Sequence, residues 1–249
     1  MKTSIPESNS DLAQHFLVDE KVLKKEVEIA NLSKEDKIIE IGAGKGALTK
    51  LLAKKSKFVL AFEKDISLKK DLSKIDSDNL KIVYDDAMNY DWRGYKIVSN
   101  IPYFLSGDLI LKAIQDRVNN ITLIIGETFK EKLVNKEGKI GFIANLFYNI
   151  KPIIKIEKTS FNPAPRTDSW LITLIKKQMS DSEKFLVDVI NRKGKIKNAL
   201  IYALVNSGKT KNQARETIDS MNLSLQVLEK PTSKLTKEFL EKLMDLIKL

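Results

Sequence analysis

Short apolar runs alternate with longer amphipathic stretches through the first half of the chain. The runs 37–41 (KIIEI), 58–62 (FVLAF), 80–84 (LKIVY), 95–99 (YKIVS) and 121–125 (ITLII) are bounded by polar turns and predict buried strands. Between them, residues 20–30, 47–55, 66–75 and 107–115 repeat their apolar positions at the helical period and predict helices. Strands and helices alternating in this way imply an α/β fold with a mostly parallel sheet covered on both faces. Two further β-rich runs, 151–159 and 170–176, flank the turn-forming FNPAPRTDS, as an antiparallel pair would. After Gln178 the pattern changes. Ser180 with Glu183, and Thr210 with Gln213, fit capping boxes, and no strand candidate follows. The expected organisation is one α/β domain over 1–178 and a small all-helical domain over 179–249. No internal repeat or low-complexity segment interrupts it.

Composition narrows the chemistry. With 249 residues and 43% hydrophobic content the chain can bury a sizeable core. No apolar run approaches a membrane span, and the opening MKTSIPESNS lacks the apolar segment of a secretory signal, so a frayed arm is expected there. The absence of cysteine excludes disulfides, thiolate nucleophiles and cysteine-held metals. A single histidine, His15, argues against a zinc site or a Ser-His-Asp triad, and no metal is expected. A reducing cytoplasm is the natural compartment. The formal charge of +10 suits a polyanionic partner, nucleic acid above all, with a lysine-rich solvated surface as the plainer alternative.

Three strand ends carry the candidate chemistry. The first is EIGAGKGALT, residues 40–49, where Gly42, Gly44 and Gly46 let the backbone turn tightly and approach a ligand. About 20 residues on, Glu63 and Lys64 close the next strand, and a carboxylate at that place can accept both hydroxyls of a ribose. Nicotinamide enzymes and S-adenosylmethionine enzymes share these features. Two others separate them: Asp85-Asp86-Ala87 after the third strand, and Asn100-Ile101-Pro102-Tyr103 after the fourth. The amine of adenine is a poor nucleophile because its lone pair is delocalised into the ring. The Asn100 side-chain carbonyl and the Ile101 main-chain carbonyl could accept its hydrogens and favour a pyramidal nitrogen. Pro102 biases Ile101 toward an extended backbone, and Tyr103 offers a face on which a flipped base can stack.

With these residues in view, the chain resembles the rRNA adenine N6,N6-dimethyltransferase family, which has a small-subunit (KsgA) branch and a large-subunit (Erm) branch. Gln14-His15-Phe16-Leu17 resembles its N-terminal signature, EIGAGKGALT its glycine loop, Asn100-Ile101-Pro102-Tyr103 its catalytic motif, and the segment from Phe161 to Ser169 its F-x-P-x-P-x-V-x-S run. The resemblance implies a Rossmann-like S-adenosylmethionine methyltransferase sheet with a helical C-terminal domain. It implies cofactor contacts from Gln14, His15, Leu17, Gly42, Gly44, Glu63, Lys64, Asp86, Ala87 and Asn100, and makes Phe161 a second aromatic of the base pocket. Thr128, Lys132, Phe104 and Trp170 depart from the family pattern. The stretch from Arg192 to Leu200, with its cations Arg192, Lys193, Lys195 and Lys197, resembles the opening of the C-terminal domain in the small-subunit branch, where those cations would contact RNA phosphates. The implied activity is methylation of two adjacent adenosines near the 3′ end of small-subunit rRNA, by a monomer acting on an assembly intermediate away from membranes. An Erm-like large-subunit methylase, a catalytically idle assembly factor and a nicotinamide oxidoreductase are the alternatives.

Overall fold

Ile38 and Ile39 are neighbours on one strand, and both are fully buried. Successive strand residues face opposite ways, so both faces of the sheet they belong to are covered. The computed structural model describes residues 15–247; Gln14 and the N-terminal arm lie outside the described residues. The strands are β1 (Phe16–Leu17), β2 (Lys37–Ile41), β3 (Phe58–Phe62), β4 (Leu80–Val83), β5 (Lys96–Asn100), β6 (Asn120–Gly126), β7 (Tyr148–Ile156), β8 (Phe161–Asn162) and β9 (Ser169–Lys176). Interleaved with the strands are helices α1 (Glu20–Ile29), α2 (Ala47–Lys55), α3 (Lys69–Leu72), α4 (Ser106–Gln115), α5 (Glu127–Val134) and α6 (Gly138–Phe147). Five more follow: α7 (Asp181–Asn191), α8 (Ile196–Asn206), α9 (Lys211–Ser220), α10 (Leu225–Leu228) and α11 (Lys237–Leu246).

The main sheet has the order β4-β3-β2-β5-β6-β9-β7. Pairs β4–β3, β3–β2, β2–β5 and β5–β6 are parallel, and β9 runs antiparallel to β6 from Asn120↔Ile175 to Gly126↔Ser169. The connections after β2 and β5 therefore leave in opposite directions, and a crevice opens between the carboxyl ends of these two strands. Their main-chain pairing runs from Ile38↔Lys96 to Ile39↔Ile97. Beyond it, the Ser99 hydroxyl donates to the Ile41 carbonyl at 2.5 Å and accepts from Ile41 N at 3.2 Å, which clamps the two strands at the mouth. A separate two-stranded ladder joins β1 to β8, with Leu17 opposite Phe161. That ladder carries the N-terminal signature to the far end of the α/β unit's sequence.

The chain divides into two compact units. One comprises the described residues up to 134 and 149–176; the other comprises 135–148 and the described residues from 177 on. The sequence pattern placed a single boundary near 179, whereas α6 groups with the C-terminal helices. Helix α6 is buried at Gly141, Phe142, Ile143, Ala144, Leu146 and Phe147, nearly all the way round. A helix without a polar face leaves no helical period to read. Ser180–Glu183 and Thr210–Gln213 do form reciprocal capping boxes, which start α7 and α9. Several boundaries moved, among them that of the run expected over 151–159, which is β7 at Tyr148–Ile156. Strand β5 ends one residue later than expected, so Asn100 is its last residue. The expected helix over 66–75 is a 3-10 turn, Ile66–Leu68, started by Asp65 and followed by the short α3.

Candidate active site

The glycine loop is held from two sides. Gly42 N and Ala43 N donate to the Phe62 carbonyl at 2.8 and 2.9 Å, and Gly44 N donates to Glu63 Oε2 at 2.8 Å. The other Glu63 oxygen accepts from Asp65 N at 2.9 Å. Each carboxylate oxygen has a second lone pair, so Glu63, 6% exposed, can serve the loop and still accept from a ligand hydroxyl. Gly44 has φ +56°, and a Cβ there would sit 3.1 Å from the Phe16 ring. Gly46 has φ +81° and starts α2 without a side-chain cap, which leaves the first N–H groups of that helix directed at the loop.

After β4, Asp86 caps a short turn through Met88 N at 2.9 Å and pairs with Lys64 Nζ at 2.8 Å. The Lys64 hydrogen bond holds the Asp86 carboxyl below the usual range despite partial burial. Lys64 is thus directed at Asp86, which keeps that carboxylate charged and in place. Asp85 accepts from the Tyr90 hydroxyl at 3.1 Å, and the Ala87 carbonyl accepts from the buried Trp92 indole at 3.0 Å. These bonds shape a cavity of about 180 Å³ lined by Gly42, Glu63, Lys64, Asp85, Asp86 and Ala87.

A second cavity of about 200 Å³ shares Gly42, Glu63, Pro102 and Phe104 with the first and adds His15, Phe16, Gly44, Asn100, Ile101, Tyr103 and Phe161. Asn100 Oδ1 has no hydrogen-bond partner, which marks an acceptor waiting for a donor. Pro102, at φ −56° and ψ 130°, keeps the chain extended before the turn Tyr103–Leu105. Tyr103 is fixed at both ends. Its hydroxyl shares a 2.5 Å hydrogen bond with buried Ser169, and its ring lies so close to Gly126 that a Cβ there would be 3.3 Å away. His15 lies nearly parallel to the Tyr103 ring at 6.4 Å and bonds through Nδ1 to the Pro163 carbonyl at 2.8 Å. Phe161, 6% exposed, meets the cavity at its edge, and Phe104, 68% exposed, stands at its rim.

Leu17 falls outside this wall: it is 6% exposed and packs in the core with Phe161 and Ile124. Its place in the N-terminal signature is explained by the β1–β8 ladder. The sequence reading gave no role to Ser99 or Gly126, and matched Ser169 only as the last residue of the F-x-P-x-P-x-V-x-S run; in the structure all three hold the motif residues. At the departing positions the structure has its own solution. The Trp170 indole donates to Glu127 Oε1 at 3.2 Å, and Lys130 lies 4.7 Å over the same ring.

Beneath the glycine loop, Glu40 is 1% exposed. Burial pushes its carboxyl up to about 8, the nearby Thr49 hydroxyl opposes this, and the Glu63 carboxylate adds to it. In the helical unit, the candidate RNA contacts are unequal. Arg192 lies 4.8 Å over the Tyr202 ring, and Lys195 pairs with Glu229 at 2.5 Å. All four are exposed.

Residues 5–239 match the family described as Ribosomal RNA adenine dimethylase. The chain belongs to that family. A ribosomal RNA small subunit methyltransferase A from Mycoplasma mobile is 33% identical over 236 residues, covering 87% of this chain and 90% of the relative. An rRNA adenine N-6-methyltransferase from Escherichia coli is 33% identical over 187 residues, covering 71% and 75%. Among solved structures, a dimethyladenosine transferase from Plasmodium falciparum superposes with TM-score 0.62 at 23% identity, covering 92% of this chain and 96% of that one. The 23S rRNA methyltransferase ErmE gives the same TM-score at 18% identity, covering 94% and 100%. These likenesses carry the fold: a Rossmann-like sheet followed by a helical region. The family's chemistry is adenine methylation in ribosomal RNA, and the chain is an rRNA adenine methyltransferase.

Proposed function

We propose that the chain dimethylates two adjacent adenosines near the 3′ end of small-subunit rRNA, using S-adenosylmethionine. The observation that carries the reading is the unpartnered Asn100 Oδ1 at the crevice between β2 and β5, beside a glycine loop tied to Glu63. The donor set fits the cofactor: Glu63 for ribose hydroxyls, Asp86 for the adenine amine, and a backbone free of side chains at Gly42 and Gly44. When bound, S-adenosylmethionine supplies a methyl on a sulfonium whose departure leaves a neutral thioether, so no residue need act as general acid. The chain's own work is positioning. Asn100 Oδ1 and the Ile101 carbonyl accept the two amine hydrogens and turn the nitrogen lone pair outward. Tyr103, immobilised by Ser169 and Gly126, presents its ring to the flipped base, and Phe161 closes the far side.

The small-subunit target rests on the Mycoplasma mobile relative and on the segment from Arg192 to Leu200. Arg192, Lys193, Lys195 and Lys197, all exposed, are the cations proposed to meet RNA phosphates; Arg192 also lies over Tyr202, and Lys195 also pairs with Glu229. The chain is proposed to act as a monomer, in the cytoplasm, on an assembly intermediate of the subunit. Among the described residues no helix is long and apolar enough to cross a membrane. The test is to incubate unmethylated small subunits, large subunits and short hairpins with methyl-labelled cofactor and identify the nucleosides after digestion. N6,N6-dimethyladenosine confined to the small subunit is expected. Label confined to the large subunit would move the target to that subunit, and no label on any RNA would leave only a binding role.

A further inference from the structure

Helix α1 turns three residues into the core: Leu23, Glu26 and Val27. Two are apolar, as a core position requires. The third is a carboxylic acid that is 0% exposed, and neither of its oxygens has a hydrogen-bond partner. A buried carboxyl without partners lowers stability, and an apolar residue of similar volume would serve the packing better. Glu26 is therefore placed at a cost that the fold itself does not explain.

Its surroundings point to the active site. The Asn100 side chain of β5 lies against Glu26, and the carboxyl of Glu40 on β2 acts on it through space. Beyond Glu40 stand Thr49 on α2 and Glu63 just after β3. Oε2 of Glu40, Oγ1 of Thr49 and Oδ1 of Asn100 are, like both Glu26 oxygens, buried without partners. The Asn100 amide has two ends of nearly equal size and opposite hydrogen-bonding character, and only its oxygen can accept from a substrate amine. Something must choose between them.

We propose that Glu26 is a positioning residue: its buried carboxyl draws the NH2 end of the Asn100 amide inward and keeps Oδ1 for the substrate amine. The proposal rests on the reading of Asn100 given above. An ionised Glu26 accepts from the amide nitrogen and repels the amide oxygen. A protonated Glu26 gains an O–H that can donate to Oδ1 and turn the amide the wrong way. Burial first, then the Glu40 carboxyl, raise the Glu26 pKa well above that of an ordinary glutamate, while Asn100 lowers it. The switch is thereby moved above the ordinary carboxylate range, and turnover rises as pH rises through it.

The experiment uses the full chain with Glu26→Gln, Glu26→Leu and, as reference, Asn100→Ala. Thermal unfolding, calorimetric binding of S-adenosylhomocysteine, and kcat and KM on unmethylated small subunits are measured across pH. Both Glu26 variants are expected to melt at or above the wild-type temperature and to bind S-adenosylhomocysteine normally. Their kcat is expected to fall by roughly 10- to 100-fold, the size of effect seen when a reacting group is misoriented. The acid limb of the wild-type kcat profile is expected to vanish in Glu26→Gln. If the leucine variant does not fold, the glutamine variant decides. Wild-type kcat with an unchanged pH profile would overturn the proposal, as would a loss of kcat that tracks lower melting and weaker cofactor binding. Full activity in Asn100→Ala would instead overturn the reading of Asn100 on which this inference stands; an inactive Asn100→Ala beside fully active Glu26 variants would overturn the inference alone.

Discussion

Glu63 shows how much a single carboxylate does at this crevice. One oxygen holds Gly44 N and the other Asp65 N, so the group organises the loop before any ligand arrives. Replacing it with alanine removes a ligand acceptor and orphans two backbone donors together. Glu63→Ala is expected to weaken S-adenosylhomocysteine binding by about 1.5–3 kcal/mol in calorimetric titration, the range for hydrogen bonds to charged groups. Unchanged affinity would remove Glu63 from the cofactor site. Residues of this kind were legible in the sequence because their chemistry is unusual where they stand: an acid at a strand end, an asparagine before proline. Glu26 was not. In EKVLKKEVEI it is one charge among many, and only packing distinguishes the buried glutamate from its solvated neighbours.

Among the elements, the loop from β2 to α2 was readable from its glycines, but the reason for each glycine lies elsewhere in the chain. Gly44 needs its left-handed φ and also lies against Phe16, a residue of the β1–β8 ladder. Gly44→Ala is expected to lose roughly 1 kcal/mol or more of stability from the backbone strain alone, seen as a lower melting temperature. It is also expected to weaken cofactor binding, because the Phe16 ring must shift. A variant that melts and binds like wild type would contradict the close approach. The strands β2, β3 and β4 were found within a residue of their observed bounds, since buried parallel strands read as plain apolar runs. The two-residue strands β1 and β8 were beyond reach: a ladder that short has no period, and its partners are far apart in sequence.

For the molecule as a whole, the buried acids set a dependence of stability on pH. Glu40 titrates at about 8 when folded, against 4.5 for an ordinary glutamate, and Glu26 is raised as well. Between those values the folded chain holds protons that the unfolded chain has released, so stability falls as pH rises. The contribution is fully present below about 4.5 and is lost as pH passes through about 8. Melting temperature is therefore expected to decline from pH 5 to pH 8, and the decline should flatten in Glu40→Gln. A melting temperature that rises across this range would refute the assignment. The sequence by itself determined the alternation of strands and helices, the glycine loop, the acids after β3 and β4, and the Asn-Ile-Pro-Tyr motif. Each of these is local, written in residue type and spacing. Tertiary structure alone decided that Leu17 packs in the core, that Lys64 faces Asp86, that Tyr103 is fixed by Ser169 and Gly126, and that Glu26 lies against Asn100. Those facts depend on which strand ends meet, and contacts between residues far apart in the chain leave no periodic mark on it.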